Sequence, residues 1–416
     1  MGTFTGANIN KLNGGLGRST DSQDRVIVLI CGVTPIAGKV VHKTVIECLD
    51  ITSVEALGIT AASDNNNSEL VHYHLDEMFR LCPGFTYYLL PVVKTTTIAA
   101  LVADDDVKAA IRGVAGRNVI GIAGIASSTV DVINTDALAL QAWVNAFATE
   151  KILIDGVFLE GKAKAANADF HNTGTDLFDL RTLAAPNISV VDMHDPAQAS
   201  LNVAYATHGA VGTVLGSVAV RKVHEDLGSV NIENKPSAKK GNEAFSIADA
   251  TLGKWTSAAL SDGTLFSALS GAQQTSLSNK GYIYVGKFEQ YDGWYLSGCP
   301  TAVEATSDYA FFNFNCIWNK AARIIRTTLI PLVRSKVPKE TDGTIKTTWI
   351  SGTQQKVVDK LTASMVNIGN ADAVDVYINP TQNVNAQTPM AVTAQVQVGD
   401  IVHEFNVDLG LTSKIS

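Results

Sequence analysis

Apolar positions along this chain recur with two different periods. From Arg25 to Cys31 the sequence RVIVLIC is apolar almost throughout, which predicts a strand buried on both faces. Val71, Leu75, Met78, Phe79 and Cys82 fall at helical spacing, so a helix is expected from a Ser68 cap through Leu81, stopped by Pro83-Gly84. Further strands are expected at 85–93, 118–126, 151–159 and 187–193, and helices at 104–114, 136–149 and 176–184. Alternation of strand and helix from 85 to 193 argues for a doubly wound α/β sheet, a mixed sheet with helices on both faces.

The pattern then changes. Residues 205–225 read as a small-residue helix in which Gly209, Gly212 and Gly216 recur at spacings of three and four, suited to close helix packing. Residues 228–256 are a polar connection, and 281–288 a strand. A long helix is expected within 308–337, a second near 354–367, and a strand at 374–379. The last stretch, AVTAQVQVGDIVHEFNVDLG at 391–410, alternates strictly around Gly399-Asp400, a two-residue loop with Gly first. That alternation predicts a hairpin with Val398 opposite Ile401, Val396 opposite His403, Ala394 opposite Phe405 and Val392 opposite Val407. A lone hairpin is marginal in water, so its apolar face needs strands or a helix from this chain or another. The expected organisation is an extended arm at 1–24, an α/β body at 25–230, a variable connection at 231–300, and a C-terminal helix-and-hairpin domain at 301–416.

Composition narrows the function classes. The 416 residues are 46% hydrophobic, as in ordinary soluble globular proteins, and only 17% charged, a low fraction that suits packed, uncharged contact surfaces. A net charge of −8 argues against general nucleic-acid binding, which needs a basic surface. No run of 18 apolar residues is present, so no membrane insertion is expected, and no secretory signal pattern is seen. Five scattered cysteines fit a reducing cytoplasm better than disulfides.

Signatures of chemistry are missing where an α/β layout would put them. Gly121-Ile-Ala-Gly124 has the wrong spacing for a dinucleotide loop, and neither GxxxxGK[ST] nor GxSxG occurs. His72 and His74 stand two apart on a helix, so they point to different faces and are read as surface residues. Asp104-Asp105-Asp106 reads as a helix start, and Cys31 and Cys316 as buried structural thiols. No cofactor or metal is expected. His194-Asp195, just after a strand, is the place for an unrecognised catalytic site if the chain is an α/β enzyme.

The order of parts resembles the tail sheath proteins of contractile injection systems: contractile phage tails, R-type bacteriocins and related machines. Three segments carry the resemblance: the small-residue helix with a polar end over Gly209–Gly228; the aromatic and basic helix from Phe311-Phe312-Asn313-Phe314 to Arg323 and Arg326, followed by Trp349 and the helix at 354–367; and the strand at 375–380, the Asn-containing loop at 382–385 and the terminal hairpin. The resemblance implies a structural subunit, not an enzyme, that polymerises helically around an inner tube and contracts. Its implied partners are copies of itself in stacked rings, the inner tube protein, and baseplate and terminator proteins. Its implied setting is assembly in the bacterial cytoplasm into a phage tail or phage-tail-like particle. The N-terminal arm of one subunit and the C-terminal strand of another would add to a neighbour's sheet, with Phe4, Ile9, Phe405, Val407 and Leu409 in the exchanged strands. Gly14, Gly15, Gly17 and Gly410 would be hinges, and Lys320, Arg323, Arg326 and Arg334 would face an acidic stripe on the tube.

Overall fold

The computed structural model describes residues 24–162, 177–382, 384–385, 388–403, 405, 407 and 409. Its first half supplies six of the seven strands of one large sheet. In chain order come β1 (Ile27–Gly32), β2 (Ile46–Cys48), α1 (Ile51–Ala56), α2 (Ala61–Asn67), α3 (Val71–Leu81), β3 (Tyr87–Val92), α4 (Ile98–Ala103), α5 (Asp105–Gly113), β4 (Val119–Ala123), α6 (Asn134–Thr149), β5 (Gly156–Glu160), β6 (Ile188–Val191), α7 (Pro196–Ala199) and α8 (Val211–Val220). The second half adds α9 (Gly271–Lys280), β7 (Tyr282–Ile283), β8 (Val285–Gly286), β9 (Tyr295–Leu296), α10 (Phe312–Leu329), α11 (Thr347–Leu361), β10 (Ala373–Tyr377) and β11 (Thr393–Gln397).

The large sheet has the order β2-β3-β1-β4-β5-β6-β7. Six neighbours from β3 to β7 run parallel, and β2 is antiparallel at the β3 edge. The run β3-β1-β4-β5-β6 is a doubly wound order in which the direction of winding reverses between β1 and β4. Side-chain alternation explains why β1 is apolar throughout: Ile27, Leu29 and Cys31 enter one core, and Val28 and Ile30 the other. One core packs the sheet against α3, α8 and α10, and the other against α4, α5 and α6.

The α3–α8 contact depends on the small residues read from the sequence. A Cβ on Gly212 would lie 2.3 Å from the His74 carbonyl oxygen, and one on Gly216 would lie 3.0 Å from the Met78 Cα. The glycines let two backbones touch. Asp104 caps α5 by accepting from the N–H groups of Asp106 and Val107, which confirms the acidic run as a helix start.

Four expectations need correction. Ser68 does not open α3: it ends α2 in the left-handed region (φ 53°), and α3 begins at Val71 without a side-chain cap. The helix expected at 176–184 is a single 3₁₀ turn, Leu180–Thr182, in the residues described there, because Asp179 turns its carboxylate onto the Arg181 N–H. His74 is not on the surface but fully buried, against Gly212.

The fourth correction concerns the terminal hairpin. The alternation of β11 is real: Val392, Ala394, Val396 and Val398 pack toward the core. Its antiparallel partner is β10, with Val374 opposite Val396 and Val376 opposite Ala394, and not the chain after Gly399-Asp400. β10 already offers an apolar face matched to that of β11, whereas Ile401, Val402 and His403 turn away toward the 226–230 loop. There the His403 ring stacks on Phe311 at 5.0 Å. Phe405, Val407 and Leu409 are left 82%, 75% and 90% exposed.

Candidate functional site: the C-terminal sheet and its groove

Strands β10 and β11 form a separate two-stranded sheet, paired only with each other among the described residues. α11 lies against β10, with Gln354 Nε2 donating to the Val376 carbonyl at 2.9 Å. Between β11 and α10 runs an open groove of about 590 Å³. Phe314, Ile317 and Trp318 of α10 form one wall, and Ala394, Val396 and Val398 the other. Trp318 is 52% exposed, unusual for a large ring on a helix that is otherwise packed.

The basic side chains of α10 fall into two groups. Lys320 is buried; its ammonium meets Asp24 Oδ1 at 2.5 Å and donates to Asn370 Oδ1 at 2.8 Å. Arg323 grips buried Asp155 through both carboxylate oxygens, at 3.0 and 3.4 Å. Asn319 and Asn118 donate to the same carboxylate at 3.0 Å each. Arg25 approaches it at 3.9 Å, donates to Cys316 Sγ at 2.7 Å, and lies over the Phe312 ring. Burial raises the Asp155 carboxyl, opposed by the pull of Arg323 and Arg25, and holds the Cys316 thiol up at about 12, so that cysteine is an inert proton-bearing partner. Arg326 and Arg334 are exposed; Arg326 donates to the Lys151 carbonyl at 3.0 Å. The basic residues expected to face outward together are thus divided, two inside a network and two on the surface.

Phe4, Ile9, Gly14, Gly15, Gly17 and Gly410 lie outside the described residues. His194 and Asp195, the alternative site, are both buried after β6. Asp195 accepts from the N–H groups of Ala197 and Trp255, which makes it a helix cap. His194 stacks on His208 with ring centroids 4.9 Å apart, and burial holds its basicity down at about 4.

Residues 4–299 match the family model described as DUF2586, N-terminal domain. The chain belongs to the DUF2586 family. No curated protein matches it in sequence. Its fold, however, recurs over nearly the whole chain in solved structures. A chain from a cryo-EM structure of the anti-feeding prophage baseplate, six-fold symmetrised, has a TM-score of 0.58 at 13% identity, covering 99% of this chain and 100% of that one. A chain from the PVC sheath complex of an extracellular contractile injection system, in its contracted state, has a TM-score of 0.56 at 12% identity, with 99% of both covered. The fold of this DUF2586 chain is therefore that of contractile-injection-system components, in agreement with the resemblance seen in the order of its parts.

Proposed function

We propose that this chain is the structural subunit of a contractile sheath, which polymerises helically around an inner tube and contracts to drive it through a target envelope. The observation that carries the reading is the β10–β11 sheet over its open groove, in a chain sharing its fold end to end with contractile-machine components. A two-stranded sheet with unpaired edges is a liability in a monomer and an attachment point in a polymer. Strands from neighbouring copies complete it: the arm carrying Phe4 and Ile9, and the C-terminal limb carrying Phe405, Val407 and Leu409. Head-to-tail exchange of this kind generates an open helix. Gly14, Gly15, Gly17 and Gly410 act as hinges during contraction, while the α/β body moves as a rigid unit. Tube contact falls to Arg326 and Arg334, since Lys320 and Arg323 are engaged within the chain. Baseplate and terminator proteins bind the ends, and assembly takes place in the bacterial cytoplasm.

The test is negative-stain electron microscopy of the full chain beside a version lacking residues 1–23. Tubes from the first and none from the second support strand exchange. Compact particles from both overturn it and return attention to His194 and an enzyme screen.

A further inference from the structure

The carboxyl ends of β1, β4 and β5 open into a crevice of about 380 Å³ that the sheath reading does not use. It sits where the winding of the sheet reverses, between β1 and β4, the place at which open parallel sheets bind ligands. Its floor is bare backbone: a Cβ on Gly32 would lie 2.0 Å from the Gly124 carbonyl oxygen. Around it stand Glu69, Glu160, Lys94, Lys162, His74 and Tyr205, with His208 beside them.

The hydrogen-bonding groups of this crevice are unbalanced. Both carboxylates already hold partners, Glu160 through both oxygens and Glu69 through one. Glu160 accepts from the Gly124 and Gly209 N–H groups at 2.8 and 3.2 Å, and Glu69 accepts from the Thr34 N–H at 2.7 Å and pairs with Lys94 at 3.1 Å. The unmatched groups are mostly donors. His74 is fully buried, and burial holds it near pKa 4, so the ring is neutral at pH 7. Its Nδ1 accepts from the Gly212 N–H at 3.2 Å, which puts the ring proton on Nε2, where no partner is present among the described residues. The Tyr205 hydroxyl, on a residue 3% exposed, is also without a partner among the described residues. Nε2 of His208, whose Nδ1 donates to the Tyr205 carbonyl at 2.7 Å, is a buried acceptor with no partner among the described residues. Lys94 and Lys162 add two ammonium groups, each already donating to a carbonyl, Lys94 to that of Asn67 at 2.7 Å and Lys162 to that of Ile125, with further N–H groups left to each.

We propose that this crevice binds a small oxyanion, a carboxylate or phosphate group, held by Lys94, Lys162 and the unmatched donors of His74 and Tyr205. The inference goes beyond the sheath reading and does not depend on it, because the crevice lies wholly within the α/β body.

Equilibrium dialysis of the full chain tests it, whether or not the chain polymerises. One arm uses radiolabelled orthophosphate and the other radiolabelled succinate, both at constant ionic strength. Saturable uptake near one equivalent per chain is expected for one of the two, and the arm that saturates identifies the source. Lys94→Met and Tyr205→Phe should each weaken it about tenfold, the scale of one hydrogen bond to a charged group. Tyr205→Phe keeps the ring and removes one oxygen, so it reports on binding even if a lysine variant folds poorly. Linear uptake of both probes overturns the proposal and leaves the crevice to water. So does saturable uptake that none of Lys94→Met, Lys162→Met and Tyr205→Phe changes.

Discussion

Lys320 Nζ on α10 lies 2.5 Å from Asp24 Oδ1, three residues before β1. The next residue, Arg25, continues the same junction through Cys316, Asp155 and the Phe312 ring. The segment leading into β1 is thus fastened to the C-terminal helix and to the β4–β5 side of the sheet at once.

This division of labour predicts that neighbouring arginines on α10 behave differently. Arg323→Glu places a second carboxylate against buried Asp155 and removes its bidentate partner. Breaking a buried pair costs ~3–5 kcal/mol. Because the Arg323 side chain is 37% exposed, solvent screening reduces this to about 2 kcal/mol. Arg326→Glu, on an exposed residue, should change the melting temperature little and weaken co-assembly on an acidic tube. Thermal unfolding alongside tube co-sedimentation at low and high salt separates the two effects. Equal melting losses in both variants would refute the division.

The α3–α8 contact gives a paired test of glycine. Gly212→Ala forces a methyl group to within 2.3 Å of the His74 carbonyl, so the two helices must separate. Overpacking of this kind costs ~1–3 kcal/mol or more. Gly352, in the exposed middle of α11, has nothing within 4 Å of where a Cβ would stand. Gly352→Ala should stabilise by about 0.5–1 kcal/mol through helix propensity alone. Opposite shifts in melting temperature are expected, and a neutral Gly212→Ala would remove the packing argument.

Asp192 supplies a pH test. Its carboxylate is fully buried and accepts from the Ser261 N–H and hydroxyl through one oxygen, while the other has no partner. Burial raises it to about 7, against ~3.9 in an unfolded chain. The folded state therefore binds more protons between these values, and the contribution of Asp192 to stability falls as pH rises from about 4 to about 7, then levels off. His74 and His194, both held down to about 4, oppose this, because the unfolded chain protonates them first on acidification. The difference between variant and wild type is the diagnostic quantity. Asp192→Asn should gain a few kcal/mol over wild type as pH is raised from 4 to 7, with a plateau above. A melting-temperature difference independent of pH would show that Asp192 stays ionised in the folded chain.

Local pattern revealed the body well, because its strands are buried on both faces and its helices have one apolar stripe. β3, β4 and β6 fall inside the expected ranges, β1 runs one residue past its own, and the glycines of α8 do the close packing expected of them. Partner choice was not legible. The alternation at 391–398 fixes which side chains of β11 face the core but is silent on what pairs with it, and β10, twenty residues upstream, competes successfully with the adjacent limb. Charge on α10 misled for a similar reason. Lys320, Arg323 and Arg326 share one side of a helix in sequence, yet Asp24 and Asp155, far away along the chain, draw the first two inward. The switch-point crevice had no motif at all. Gly32, Glu69, Lys94, Glu160 and Tyr205 become neighbours only when the parallel sheet closes.

The groove makes the sharpest prediction for assembly. Val396 faces both α10 and the space beside β11, in register with Val374 of β10. Val396→Asp puts a charge on the surface where a neighbour's strand is proposed to lie, while most of the large-sheet core is untouched. The variant should remain folded by circular dichroism, with a modest drop in melting temperature, and should form no tubes. Trp318→Ala, which removes the half-exposed ring on the opposite wall, should shorten or thin out the tubes while sparing the monomer, because less than half of that ring is buried within one chain. Normal tubes from both variants would place the contacts between copies elsewhere on the molecule, and the groove would then have to be filled by the chain's own residues.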